Sequence, residues 1–548
     1  MKRPVGEGAS ALVTPRHRDR YVDFLRIFSL LMVIVGHWLA ALVTWEDGTL
    51  RGENALNVLP EMWPLTWVFQ VMPLFFFVGG FANRKSYESI VRRGGGYAAY
   101  VTSRLQRLLV PTVVFLAVGL IVATGLDVFG IMDDVLRPAA RLMTLPLWFL
   151  GVYVMVVVLA PPMLVLHRRR SHRVVWGLVA AAFLVDSVRF GASIDDFGHL
   201  NYAVVWLVVH QLGFLYADGA LQRWAGWLAG GAAAALAGLM AAGPYPPSLV
   251  GISGNEIDNM NPPTLVILAL ALLQVGGALL LRPRLVAWLE RPRPWTAVVA
   301  LNRRVMTMFL WHLAAVLPTI AIVYPLGFPQ PDPGSAAFWM LRPGWVLLQV
   351  PVLTILVLVF GRFESVGHQL SGDLSAEGDS TVSRVVAAVG AVLAGLGVLG
   401  YARLGLEPFY SNLTKDLTVL DVNSARSIAH LGLGIMLLYA AVNGRHAARD
   451  AARLGAVLLA VLAVAGVTGL WLFATGPVET LLHTVGASVL AVAALVDRRR
   501  SPDPGQGNEQ GITTATLRAT RFHADGRRPA AERGAPSGAP LGVNWLRL

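Results

Sequence analysis

RDRYVDFLRIFSLLMVIVGHWLAALV, Arg18 to Val43, gathers its charges at one end and then runs from Ile27 to Val43 with His37 as its one ionisable side chain. A helix rises 1.5 Å per residue, so about 20 such residues cross the roughly 30 Å hydrocarbon core of a bilayer. The apolar run is continuous, not alternating with a period of two, which marks a helix and not a barrel strand. Similar runs recur to the end of the chain, for example Ala456 to Leu472. Over 548 residues, 55% are hydrophobic and 14% charged, with a mean hydropathy of +0.58. That composition excludes an ordinary soluble protein and a disordered chain. The predicted fold class is all-α, a polytopic helical membrane protein whose first partner is the lipid bilayer.

Hydropathy places spans near residues 22–45, 64–82, 108–126, 146–166, 174–190, 201–217, 224–242, 264–281, 305–324 and 345–361, then near 383–401, 427–443, 453–473 and 478–496. This makes about fourteen helices, ten followed by four. Between the groups, ESVGHQLSGDLSAEGDSTVS from Glu364 to Ser383 is polar and rich in Gly and Ser, so residues 363–382 are expected to be a cytoplasmic linker. Residues 383–497 then form a four-helix membrane domain, and residues 498–548, rich in Pro, Gly, Arg and Ala, a disordered cytoplasmic tail.

The net charge of +12 would suggest nucleic acid in a soluble chain. Here the positive charges alternate from loop to loop. Arg16, Arg18 and Arg20 precede the first span, Arg84 to Arg107 separate the second from the third, Arg168 to Arg173 follow the fourth, and Arg282 to Arg304 follow the eighth. The intervening loops carry Glu46, Asp47, Glu53 and Glu61, then Asp133 and Asp134, Asp195 and Asp196, and Glu256 and Asp258. Lys and Arg concentrate in cytoplasmic loops, so no nucleic-acid partner is needed. The arrangement predicts a multi-pass plasma-membrane protein with both termini cytoplasmic, including the N-terminal segment 1–20. MKRPVGEGAS has no apolar core, so no cleavable signal peptide is expected. With no Cys, disulfides, thiolate metal sites and a Cys nucleophile are excluded.

Arg26 and His37 stand eleven residues apart in the first span. Eleven residues make about three turns, which puts both on one face, roughly 16 Å apart along the axis, with Asp23 on the same face. Arg26 then lies near the cytoplasmic end and His37 in the outer half. Ionisable residues at such depth are costly and face a polar interior or cavity. The bland alternative is a hydrogen-bonded histidine with Arg26 reaching to the headgroups.

The Arg-x10-His arrangement in VDFLRIFSLLMVIVGHW resembles the signature of the membrane-bound acyltransferase-3 family, integral membrane O-acyltransferases of glycans and other acceptors. MPLFFFVGGFANRKS, Met72 to Ser86, is similar to the family's Phe-rich end of helix two, with Gly79-Gly80-Phe81 where Ser-Gly-Phe is more usual. SRLQRLLVP (Ser103 to Pro111) resembles its Arg-x-x-Arg element, LPLWFLGVY (Leu145 to Tyr153) its Trp-Phe-Leu element, and MTMFLWHLA (Met306 to Ala314) its late aromatic-plus-His helix. The resemblance spans about residues 20–362 and implies an acyltransferase domain over 21–362, of the enzyme class that transfers groups other than amino-acyl groups.

The resemblance implies acyl-CoA, with acetyl-CoA as the first expectation, as donor substrate, and a hydroxyl of a glycan, glycolipid or other cell-envelope molecule as acceptor; no metal is expected. Neutral imidazole is the side chain best poised as a base near pH 7. His37 is the catalytic candidate, either as base or as carrier of the acyl group. CoA is polyanionic and cytosolic, which suits Arg104 and Arg107 as its binding residues. Arg26 either contacts the phosphate end of the donor or stabilises charge on the thioester oxygen. Trp148 is a wall of the site or an interfacial anchor, and His312 a contributor to the cytoplasmic part of the site or a packing histidine. Asp23 is taken with Trp148 and His312 as a substrate-binding candidate.

SIAHLGLGIMLLYAAV and TLLHTVGASVLAVAALV each place a His a few residues into a C-terminal helix, so His430 and His483 are expected at matched depth. They either ligate a haem or metal or belong to a small-residue helix contact. The competing function is a transporter or exporter of acylated or acidic metabolites, favoured by the number of helices and by Arg26, Asp186 and Arg189 within spans. The first ten spans lack the repeated halves common in such proteins.

Overall fold

The computed structural model describes residues 18–46, 49–128, 142–252, 257–372, 380–404, 415–417, 420–468 and 476–499. Its main helices are α1 (Arg20–Ala40), α2 (Ala55–Val58), α3 (Trp63–Phe69), α4 (Met72–Arg92), α5 (Tyr97–Val128), α6 (Leu147–Arg170), α7 (His172–Gly191), α8 (Asn201–Ala217), α9 (Ala225–Ala242) and α10 (Leu265–Leu289). They continue as α11 (Pro292–Asn302), α12 (Val305–Trp311), α13 (Val316–Val323), α14 (Ala336–Gly372), α15 (Thr381–Leu404), α16 (Ser424–Val442), α17 (Arg445–Thr468) and α18 (Pro477–Arg499). Two antiparallel hairpins, Ala41–Glu46 with Thr49–Asn54 and Lys415–Leu417 with Leu420–Val422, are the strands among the described residues. The protein is an all-helical, multi-pass membrane protein.

Eleven described helical segments are long and apolar enough to cross a membrane. Each of the fourteen expected spans falls on helix, but three depart from a plain crossing. Segment 305–324 is a pair, α12 and α13, bent by 54°. Segment 427–443 is a short apolar helix, Arg426–Val442. Segment 453–473 overlaps α17, whose first turns carry Arg445, Arg449, Asp450 and Arg453. Residues 469–473 of that segment lie outside the described residues, as do Glu256, Asp133, Asp134, Asp47 and the tail from residue 500.

Two boundaries differ from expectation for identifiable reasons. The first span stops at Ala40, and residues 41–46 pair with 49–54 in register from Ala41↔Asn54 to Glu46↔Thr49. ALVTWE is rich in β-branched and aromatic residues and precedes Asp-Gly, a hairpin signal that outweighs its apolar character. The expected linker begins as helix, because α14 continues to Gly372; residues 373–379 lie outside the described residues. Glu364 is held inside the protein at 2% exposure.

Helix α1 is capped by Asp19, whose side chain accepts from the backbone N–H groups of Tyr21 and Val22. Tyr21 then fastens α1 to α10 by donating its hydroxyl to the Ala278 carbonyl. Helices α4 and α8 approach closely near the site. A Cβ on Gly80 would stand 2.0 Å from the His210 carbonyl oxygen, and one on Gly213 would stand 2.3 Å from that of Phe77. Small residues permit such backbone contact in membranes. Gly80→Ala is therefore expected to cost about 1–3 kcal/mol, seen as a lower thermal midpoint of tryptophan fluorescence in detergent. Gly230→Ala, which meets nothing within 4 Å, is the control expected to leave the midpoint unchanged or higher. Equal midpoints for the two variants would refute the contact.

Two of the helices after residue 380, α15 and α16, pack on helices that carry the site. A Cβ on Gly151 of α6 would stand 2.2 Å from Leu399 of α15, and Thr102 of α5 donates to the Leu438 carbonyl of α16. Gly390 and Gly434 bring α15 and α16 together in the same way. One compact unit extends to Ala494; the last helical residues, Leu495 to Arg499, belong to a second unit.

Candidate active site

The Arg26 and His37 side chains of α1 line different cavities. His37 lies on one of about 230 Å³, with Gln70, Trp148, Phe149, Asn261 and Phe309 among its walls. Arg26 lies on another of about 150 Å³, shared with Arg104, Arg107, Tyr153, Asn302 and Glu364. Phe149 and Phe309 line both cavities and meet edge to face with ring centres 5.4 Å apart. These two rings therefore form part of the wall between a histidine-bearing cavity and an arginine-bearing one.

His37 is positioned by the break between α12 and α13. Pro318 lacks an N–H, and its ring crowds the carbonyl four residues earlier, at Ala314, which disfavours a continuous helix there. His312 stands just after the end of α12, fully buried, with its backbone carbonyl accepting from Trp38 Nε1 at 2.8 Å. Trp345 Nε1 in turn donates to the Trp38 carbonyl. The His37 and His312 rings are stacked, with His37 Nδ1 2.8 Å from His312 Nε2. His312 Nδ1 is 2.6 Å from the Phe309 carbonyl oxygen.

That chain of bonds assigns the tautomers of two neutral rings. A carbonyl only accepts, so His312 Nδ1 carries the proton and its Nε2 is the acceptor. His37 Nδ1 donates to it. The free lone pair of His37 is then on Nε2, the arrangement in which a second group orients a base. His312 lines neither cavity; it stands buried beside His37, bonded to that ring. Trp148 does share the cavity of His37.

In the second cavity, Arg26 donates to Asp23 at 3.4 Å and to Asn302 Oδ1 at 3.3 Å. Asp23 is also paired with Arg18 and lines neither cavity, so in this structure it is a partner to two arginines. Arg104 Nη2 donates to the Tyr153 hydroxyl at 3.1 Å, and its buried Nε has no partner among the described residues. Glu364 accepts from the backbone N–H groups of Met306 and Thr307 and from the Thr307 hydroxyl. It thereby caps α12, the helix leading to His312.

Tyr153, Asn302, Glu364 and Gln70 were not legible as site residues. Tyr153 sits inside the Trp-Phe-Leu segment, and an acid following the apolar run VLTILVLVF was a usable signal for Glu364. Asp186 accepts from Asn201, Tyr245 and the Leu265 N–H, a closed network capping α10. Neither it nor Arg189 lines the two cavities, so of the three intramembrane charges that favoured transport only Arg26 faces one of them.

The family model described as an acyltransferase domain, that of the acyltransferase-3 family, matches residues 19–361, more than half of the chain. The chain belongs to the acyltransferase-3 family. No curated protein and no solved structure matches it. The acyltransferase match begins at the cap of α1 and ends within α14, so both cavities are built within it, Glu364 excepted, and the helices from α15 onward lie outside it. The protein is thus a multi-pass membrane acyltransferase.

Proposed function

We propose that this acyltransferase moves an acyl group, acetyl in the first instance, from cytosolic acyl-CoA to a hydroxyl of a glycan, glycolipid or other cell-envelope acceptor. The observation that carries the reading is the pair of cavities, one with His37 and the other with Arg26, Arg104 and Arg107, separated in part by Phe149 and Phe309. Three guanidinium groups on one small cavity suit the phosphates of CoA. A cavity holding His37, Gln70, Asn261, Asn54 and Thr66 among apolar walls suits a hydroxylated acceptor.

In the proposed step the acceptor oxygen attacks the thioester carbonyl carbon while its proton passes to Nε2 of His37. The tetrahedral intermediate collapses, the carbon–sulfur bond breaks, and the CoA thiolate takes the proton from the imidazolium. The products are the acyl ester and free CoA thiol. His312, bonded to His37 Nδ1, holds the ring and tautomer. A role for His37 as acyl carrier would instead produce a covalent acyl-imidazole.

The proposal sets the arginine cavity toward the cytosol of the plasma membrane and both termini inside, from the alternation of loop charge. In this Cys-free chain, single cysteines at Arg93 and Asp258 test it with a membrane-impermeant maleimide. Asp258→Cys is expected to label in intact cells and Arg93→Cys only after permeabilisation; the reverse pattern overturns the orientation. The activity itself is tested by transfer of label from radioactive acetyl-CoA to envelope material in isolated membranes. No transfer above vector-only membranes from acetyl-CoA or longer acyl-CoA donors would reject CoA as donor.

A further inference from the structure

Helices α16 and α18 bring together a cluster that the transfer reaction does not use. Glu479 and His483 are four residues apart, one turn along the same face of α18. His430 of α16 meets them, with its Nε2 2.7 Å from Nε2 of His483. One ligand atom from each of the three residues lies within 4.8 Å of the other two. All three are buried, at 5%, 3% and 0% exposure for His430, Glu479 and His483. We infer that His430, Glu479 and His483 form a binding site for a divalent transition-metal ion of the zinc class, fastening α16 to α18.

The chemistry of the donor set supports this choice. Two imidazoles and one carboxylate are a recurrent zinc donor set, and the remaining coordination position goes to water. Two nitrogens 2.7 Å apart, each about 2.0–2.1 Å from one ion, subtend roughly 80°, and parting the rings by less than about 1 Å reaches the tetrahedral angle. The same spacing excludes a haem, whose macrocycle would have to fit between the rings. Arg426 donates from Nη1 to Glu479 Oε2 at 2.7 Å. Ligating carboxylates are commonly held by such outer hydrogen bonds, and a lone buried carboxylate would be far costlier. The proposal departs from the expectation from sequence that no metal is bound and takes up the alternative held there for His430 and His483; the site lines neither cavity.

The test uses the full-length protein, purified in mild detergent with an affinity tag free of histidine, stripped with chelator and titrated with Co²⁺. The expected result is visible d–d absorption of a four- or five-coordinate ion saturating at one equivalent, lost on adding Zn²⁺, with bound Zn²⁺ confirmed by elemental analysis. His483→Ala and Glu479→Gln are expected to abolish the saturable spectrum, and Arg426→Gln to weaken affinity by about 10- to 100-fold. Absence of saturable absorption in the unaltered protein, or an unchanged spectrum in Glu479→Gln, would overturn the site and leave a histidine pair beside an Arg–Glu ion pair. If the His483 variant fails to insert, the unaltered protein and the near-isosteric Glu479→Gln still decide.

Discussion

Replacing His37 by Gln is expected to lower acyl-transfer turnover by about 10²- to 10⁴-fold, the range set by removing a general base. Glutamine keeps much of the volume and a hydrogen-bonding group against His312 Nε2, so the hydrogen bond from α1 to the segment after α12 can be kept while the ring stacking is lost. It lacks a nitrogen that can take the acceptor proton. Insertion and yield are expected to be unchanged, because His37 is half-buried beside a cavity and is not a packing residue of the core. The companion change His312→Gln is expected to lower turnover less and to leave the KM for donor near that of the unaltered enzyme, since His312 lines neither cavity. Initial rates of label transfer in membranes, normalised to protein by immunoblot, supply the measurement. Near-normal turnover in His37→Gln would show the histidine to be structural.

The second large effect is on the donor. Arg104 and Arg107 share the small cavity with Arg26, and hydrogen bonds to a charged group contribute about 1.5–3 kcal/mol each. Arg104→Gln with Arg107→Gln should therefore raise the KM for acyl-CoA by about 10²- to 10⁴-fold if the two contributions largely add. The rate at saturating donor should change much less, because the base and its orienting histidine lie in the other cavity. Tyr153→Phe separates charge from geometry: it removes the hydroxyl that accepts from Arg104 but keeps both guanidinium groups, so its effect on KM should be small by comparison. A double variant with unchanged donor KM would return these arginines to setting topology.

What lay within reach of the sequence follows from the range of the interactions. Hydrophobicity over some twenty residues is a local property with one structural outcome in a bilayer, where every backbone polar group must be bonded within its own segment. The spans were legible for that reason, down to the single face shared by Arg26 and His37. The hairpin after Ala40 was not, because ALVTWE reads as the end of an apolar helix until its pairing with Thr49–Asn54 is seen.

His37 was singled out by its depth and by the family signature, and the arginines by their place at a helix entrance. That Arg26 and His37 open onto two cavities, with Phe149 and Phe309 in the linings of both, was decided by packing alone. His312 meets His37 across 275 positions of chain, Glu364 caps α12 from 57 residues away, and His430 meets His483 across 53. No local periodicity encodes such pairs. A helix pattern states which face a side chain occupies, whereas its partner is set by helix order and by close approaches such as that of Gly80 to the His210 carbonyl. The sequence by itself determined the membrane class and the helices, and only the tertiary structure decided which nitrogen of His37 is free to act and which groups surround it.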